Sequence, residues 1–269
     1  MGVTFSIKEI KSVTNEMARY EKLDYSGHSF SFLKRRLGHV FSVLKIRRLN
    51  QFSEQLKDEN FRELVNYHMA VDVTEMFRDP GFWRVLRTDV FPLFKEKKWS
   101  VWFPDAPSGE EVYSLLILLK EEGLIDSVDV LFQHPSSVKC QEIFEGVLDQ
   151  KKMAISHSNY RRLEENSLFE DNFVDGEYGK SIRKDLLKGC RFQSVFLGHE
   201  FDDQQFDLIL FRNSGINYTI QRKEEIFEKI MKKLKHGGVI ALGVRETVPE
   251  AFRNKLSVLN HKECVFQKC

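Results

Sequence analysis

The sequence predicts an α/β fold: an N-terminal all-helical domain followed by a Rossmann-like domain built on a parallel sheet covered on both faces. Three observations predict it. Residues 5–95 carry apolar side chains only at helical spacing. From Trp99 on, apolar runs at 99–103, 128–132, 206–211 and 238–242 alternate with helical patterns at 110–121, 136–148 and 222–234. The stretch from Trp99 to Ser114 reads as a short strand, a tight polar turn and a helix, the place where such folds hold a nucleotide-like ligand.

The 269 residues, 42% of them hydrophobic, suffice for one large domain or two smaller ones. A formal net charge of +1 gives no global field that would steer the chain to nucleic acid. Cys140, Cys190, Cys264 and Cys269 lie far apart with no CxxC pair, which argues against a zinc site or a disulfide framework and for a reducing compartment. No apolar run approaches the roughly 18 residues of a membrane span, and the first residues lack the apolar core of a signal peptide. These features predict a soluble cytoplasmic protein with no membrane insertion and no nucleic-acid partner. The 23 phenylalanines are expected mostly in the core.

In the helical part, Ile7, Ile10 and Val13 recur at helical intervals, and Phe30, Leu33, Leu37, Phe41 and Leu44 predict one buried stripe. Lys34, Arg35, Arg36, Lys45, Arg47 and Arg48 make the outer face basic, which suits a partner surface and an ordinary solvated face about equally. Short helices fit residues 50–57 and 60–69. Asp79 reads as the N-cap of another, with Pro80 at an early position where its missing N–H costs nothing.

Residues 150–191 break the alternation. They are polar, carry turn signals around 174–180, and suit a small β-hairpin insertion or a mobile loop. Ser108-Gly109-Glu110-Glu111 has the form of a capping box, and capping alone explains all four residues. Arg78 stands just before a helix and could pair with a ligand carboxylate. Arg212 and Asn213 follow the apolar run 206–211 and so fall at the end of a parallel strand that faces the ligand crevice. The eight histidines show no metal spacing, no nucleophile–base set can be argued, and no P-loop is present.

Together these segments resemble the CheR family of chemotaxis-receptor methyltransferases over residues 5–248. Thr74-Glu75-Met76-Phe77-Arg78-Asp79 is close to TxFFRD, and residues 108–114 to STGEEPYS. Residues 211–218 echo CRNVLIYF, and 237–246 resemble the closing GG…LGxSE. The resemblance implies a helical domain over 1–72, a methyltransferase domain over 73–269 that binds S-adenosylmethionine, and a β-insertion at about 150–191. It implies transfer of the cofactor's methyl group to a glutamate carboxylate of a receptor or signalling protein. Thr74 and Arg78 would contact the methionine part of the cofactor, Gly109 and Glu110 would form the turn beside it, and Arg212 with Asn213 would form the active-site floor, Arg212 as the catalytic residue. No metal is implied.

Six positions depart from the family pattern. Asp105 stands at a small turn residue, where its carboxylate would repel that of the cofactor. Pro107 removes a backbone donor. His134 replaces an acidic ribose-binding residue, Phe196 an adenine-contacting asparagine, Asn217 a tyrosine and Asp72 an asparagine. The departures predict altered or lost cofactor binding. They leave two readings, a CheR-like methyltransferase with a substituted pocket and a catalytically inactive relative that binds proteins through its basic helical face and β-insertion.

Overall fold

A computed structural model describes residues 5–71, 74–163, 169–176, 179–197 and 204–269. The first helices are α1 (Ile7–Met17), α2 (Phe30–Val43), α3 (Leu49–Gln55) and α4 (Glu59–Met69). A capping box does open α1: the Ser6 hydroxyl accepts from the Glu9 N–H at 3.3 Å, and the Glu9 carboxylate accepts from the Ser6 N–H at 2.8 Å. The buried side of α2 is rotated from the expected stripe. Phe32, Leu33, Leu37, Val40 and Phe41 are buried, whereas Phe30 is 42% exposed. Phe30 is the first residue of the helix, one turn too early to reach α4, the main partner of α2. Lys34, Arg35, Lys45, Arg47 and Arg48 are exposed as expected, but Arg36 turns inward and its Nε donates to the Met69 carbonyl at 3.1 Å.

After Thr74 the chain builds the sheet. Its elements are α5 (Pro80–Val85), β1 (Trp99–Phe103), α6 (Glu110–Glu121), β2 (Val128–His134), α7 (Ser137–Glu145), α8 (Met153–Arg161), β3 (Phe173–Gly176) and β4 (Gly179–Ile182). There follow β5 (Cys190–Ser194), β6 (Phe206–Phe211), α9 (Ile220–Lys233), β7 (Leu234–Leu242), β8 (Leu256–Asn260) and β9 (Val265–Lys268). Seven strands lie in the order β5-β2-β1-β6-β7-β9-β8. The first five are parallel, and β9 pairs antiparallel with both β7 and β8. Strand order reverses between β1 and β6, the switch point at which such a sheet opens a crevice.

The central strands are mostly apolar because both their faces are covered, and their polar residues satisfy each other, with the Ser100 N–H donating to the Asp207 carboxylate at 3.0 Å. All of β1 and β6 is buried, with α6, α8 and the α5 region on one face and α9 on the other. The strands that escaped sequence reading, β5, β8 and β9, are short, half-exposed and lie at or near the sheet edges, so they carry no long apolar signal.

The tract at 150–191 is more than an insertion. It holds α8, whose Ser156 hydroxyl accepts from the Met76 N–H at 3.1 Å, then the predicted hairpin β3–β4, then the start of the edge strand β5. The two residues joining the hairpin strands, and the expected boundary at 72/73, lie outside the described residues.

Two seams fix the helical part over the sheet. In one, the Glu63 carboxylate of α4 accepts from the Ser136 hydroxyl at 2.5 Å and the Val138 N–H at 3.1 Å, while the Tyr67 hydroxyl donates to Glu142 of α7 at 2.9 Å. In the other, residues 27–29 run antiparallel to 217–219, with Ser29 N–H to Asn217 O at 2.7 Å and Thr219 N–H to Gly27 O at 2.9 Å. Among the described residues no helix is long and apolar enough to cross a membrane.

Candidate functional site

The crevice at the ends of β1 and β6 is a cleft of about 240 Å³ roofed by the helical part. Its walls come from five places: residues 25–35 and 69–71, the segment 74–83, the turn after β1, the ends of β2 and β5, and the loops after β6 and β7. Of the predicted site residues, Thr74, Arg78, Arg212 and Asn213 line it. Gly109 and Glu110 do not. Gly109 lies behind the turn, where a Cβ would stand 2.2 Å from the Tyr113 ring, so packing dictates the glycine. Glu110 points towards α8 and pairs with Lys152 at 2.8 Å.

The floor is an ion-pair triad. Arg212, with a side chain only 1% exposed, donates from Nη1 to Glu111 at 2.6 Å and from Nη2 to Asp79 at 2.8 Å, and its guanidinium lies 3.8 Å from the Phe82 ring centre. This arrangement overturns one sequence expectation. The capping box at Ser108–Glu111 does not form: Gly109 is the N-cap of α6, with no side-chain cap. Asp79 is the N-cap of α5, as expected, although its side chain makes no cap bond. The physical reason is magnitude, since a cap is worth about 1 kcal/mol, whereas leaving a buried guanidinium without its carboxylates costs about 3–5 kcal/mol. And Arg212, expected as a catalytic residue, has both terminal nitrogens committed to the scaffold.

The segment bearing Asp79 is held in strained backbone, with φ of +55° at both Phe77 and Asp79. It is pinned by Phe77 N–H to the Ser114 hydroxyl at 2.8 Å and by the Trp83 indole N–H to the Arg78 carbonyl at 2.8 Å. Asn213 is also left-handed, with φ of +58°.

Its loop hangs on a residue that sequence reasoning quoted only as part of a motif. The buried Glu246 carboxylate accepts from the N–H groups of Asn213 at 2.7 Å, Gly243 at 2.7 Å and Ile216 at 3.0 Å. Burial pushes its pKa up, and these three donors pull against that. A lone acid four residues past the end of β7 carries no sequence signal for this task.

The substituted positions converge on the same cleft. Asp105, Pro107, His134, Phe196, Asn217 and Tyr218 all line it; Asp72 lies outside the described residues. Phe196 is 3% exposed and stacks edge-on against Tyr25 at 4.9 Å, so it belongs as much to the helical core as to the cleft. His28 lies 4.6 Å from Phe32 and 4.5 Å from Tyr218, which completes an aromatic wall. His134 Nδ1 accepts from the Ser136 N–H at 3.0 Å, so its proton sits on Nε2 and the ring can only donate to a ligand.

Burial pushes His28 down to about 4, and burial together with the Lys139 charge pushes His134 down to about 3. Both folded values lie below the unfolded value of about 6.5. The stability these neutral rings contribute is therefore complete above about pH 6.5 and is lost as pH falls through about 4 and 3. Asp105, pushed up to about 6 by burial, has the opposite sign and loses its contribution as pH rises through that value. Replacing His28 by Phe should flatten the acid limb of the stability curve by about 1.4 kcal/mol per pH unit between pH 6.5 and 4. Urea unfolding across that range measures the slope; an unchanged slope would show that His28 is not buried neutral.

The cleft keeps polar groups that the protein itself does not satisfy. Ser108 Oγ and Arg212 Nε are buried with no hydrogen-bond partner among the described residues. Arg35, Arg78 and Arg245 line the cleft with no ion pair among those residues. Buried donors without acceptors are costly, and free cations beside them fit a ligand that brings a carboxylate and hydroxyls. Among the described residues no His, Cys, Asp or Glu group could hold a metal ion.

Residues 72–265 match the family model described as the CheR methyltransferase, SAM binding domain. A protein named methyltransferase Cher3 from Pseudomonas putida is 26% identical over 256 residues, 93% of this chain and 91% of that one. A chemotaxis protein methyltransferase of Listeria innocua is 26% identical over 261 residues, 94% of this chain and 95% of that one. Among solved structures, N-methyltransferase NodS from Bradyrhizobium japonicum with S-adenosylhomocysteine aligns at 10% identity and a TM-score of 0.40, over 86% of this chain and 98% of that one.

Proposed function

Given that this chain belongs to the CheR methyltransferase family, we propose that it methylates a side-chain carboxylate, a glutamate, of a receptor or another signalling protein in the cytoplasm. When bound, S-adenosylmethionine supplies a methyl group on a cationic sulfur. An acceptor carboxylate is already a nucleophile, so the protein needs no strong base, and its task is to place two reactants in line and exclude water.

The observation that carries this reading is the set of unsatisfied groups around one switch-point cleft: Ser108 Oγ, Arg212 Nε and the Arg78 guanidinium. Thr74 and Arg78 are assigned to the cofactor's carboxylate. Ser108 is the donor left free by the missing cap. The wall of Tyr25, His28 and Tyr218 offers flat apolar faces for the adenine, and His134 donates to a ribose hydroxyl. Asn213 and Arg212 form the floor, Arg212 as a positioning residue. Gly109 and Glu110 act from behind the turn, by setting the start of α6 against Tyr113 and α8. Arg35 and Arg245, one from the helical part and one from the sheet domain, flank the mouth and suit an acidic acceptor. The basic face of α2 and the β3–β4 hairpin are the surfaces assigned to the protein partner.

The second reading, an inactive binding module, is not favoured. A protein that only docks partners gains nothing from buried donors left open, each worth about 1–3 kcal/mol in lost hydrogen bonding. Titration calorimetry with S-adenosylhomocysteine tests the point, and micromolar affinity is expected. Incubation with radiolabelled S-adenosylmethionine and a receptor fragment should give base-labile label on that fragment. No heat at millimolar ligand, or label that resists base, would overturn the proposal.

A further inference from the structure

We infer that the Asp105 carboxylate is the counter-charge for the cofactor's sulfonium and makes the cleft prefer S-adenosylmethionine over the demethylated product, S-adenosylhomocysteine; this rests on the function proposed above. Three features of the turn support it.

First, Asp105 is held in place. It is the second residue after β1, with Pro104 before it and Pro107 two residues on, each fixing its own φ. The Ala106 N–H donates to the Gln133 carbonyl at 2.9 Å and ties the turn to the end of β2.

Second, its charge is uncompensated by the protein. No ion pair to it exists among the described residues. Burial accordingly raises its proton affinity, and its charge in turn makes the neighbouring Tyr25 and Tyr218 hydroxyls harder to ionise. A carboxylate half-buried in a cleft with no cation is unfavourable until something supplies one. Glu111, the neighbouring acid in the cleft, is neutralised by Arg212 and does not have this property.

Third, the position is right for the reacting centre. Asp105 and Ser214 stand at the ends of the two strands between which the sheet opens. Of the cofactor's two cations, the ammonium survives methyl transfer and the sulfonium does not. The acceptor oxygen forms a bond to the methyl carbon, the C–S bond breaks, and its electron pair stays on sulfur as a neutral thioether. A carboxylate facing the sulfur therefore attracts the reactant and not the product, which favours both loading and release. The same carboxylate disfavours the cofactor's own carboxylate in either form, so its removal does not weaken the product.

Calorimetric titration of the full chain with S-adenosylmethionine and with S-adenosylhomocysteine tests this inference, using wild type, Asp105→Asn and, as control, Glu75→Gln, which alters a second cleft carboxylate without an ion pair. Wild type should bind S-adenosylmethionine at least tenfold more tightly than S-adenosylhomocysteine. Asp105→Asn should bring the ratio to within about threefold by weakening S-adenosylmethionine alone, while Glu75→Gln keeps the wild-type ratio. Circular dichroism melting verifies that each variant is folded. Equal weakening of both ligands, equal tightening of both, or a wild-type ratio near one would overturn the inference and leave the proposed function standing. Failure of wild type to bind either ligand would overturn both.

Discussion

Arg212→Met is expected to lower the unfolding free energy by about 3–5 kcal/mol and to abolish cofactor binding. Its guanidinium pairs with both Asp79 and Glu111. Without it, two carboxylates face each other over Phe82, and burial already holds Glu111 above its usual pKa despite the guanidinium beside it. The strained turn at Phe77–Asp79 would then lose the bond that anchors its end, and Arg78, next in sequence, would no longer be aimed into the cleft. The triple variant Arg212→Met, Asp79→Asn, Glu111→Gln should recover most of the stability, because no buried charge is left unpaired, but not the cofactor affinity. Urea unfolding and titration calorimetry read the two effects separately. A single variant as stable as wild type would show that the triad is not the buried clamp the geometry describes.

Glu246→Gln is the second large effect. One carboxylate collects three backbone N–H groups from the loops after β6 and β7, and hydrogen bonds to a charged group are worth about 1.5–3 kcal/mol each. The amide swaps an acceptor for a donor that faces donors, so at least one bond is lost and another is opposed. The expected cost is about 3 kcal/mol, with at least a tenfold fall in S-adenosylhomocysteine affinity as Asn213 and Ile216 come loose. Hydrogen exchange at 213–217 should accelerate while the strands of the sheet stay protected. Uniform acceleration across the chain would mean that Glu246 supports global stability and not this loop.

Both effects centre on residues whose importance the chain hides. Arg212 could be placed at a strand end because residues 208–211 are an unbroken apolar run, and a run of that kind suits a strand of a parallel sheet covered on both faces. The partners of Arg212 could not be found. Asp79 and Glu111 each carry a complete local explanation as helix-start residues, and only the fold brings them within 3 Å of a guanidinium 133 and 101 positions away in sequence. Glu246 is hidden for a related reason: its bonds run to backbone N–H groups, which every non-proline residue has, so no pattern of side chains announces them.

The sequence by itself determined the α/β class, the helical first part, the order of the main strands and helices, the interruption at about 150–191 and the family, since these rest on periodicity and on short contiguous motifs. Tertiary structure decided what the turn after β1 is. As sequence, it is a cap with a misplaced acid. In the folded chain the cap is abandoned to the Arg212 triad, Ser108 is left with an open hydroxyl, and Asp105 becomes a half-buried carboxylate lining a cleft. The physical reason is the range of the forces involved. Propensity, capping and burial pattern act within a few residues and can be read along the chain. Pairing of buried charges depends on which groups the fold strands together away from water, and a local pattern holds no information about that.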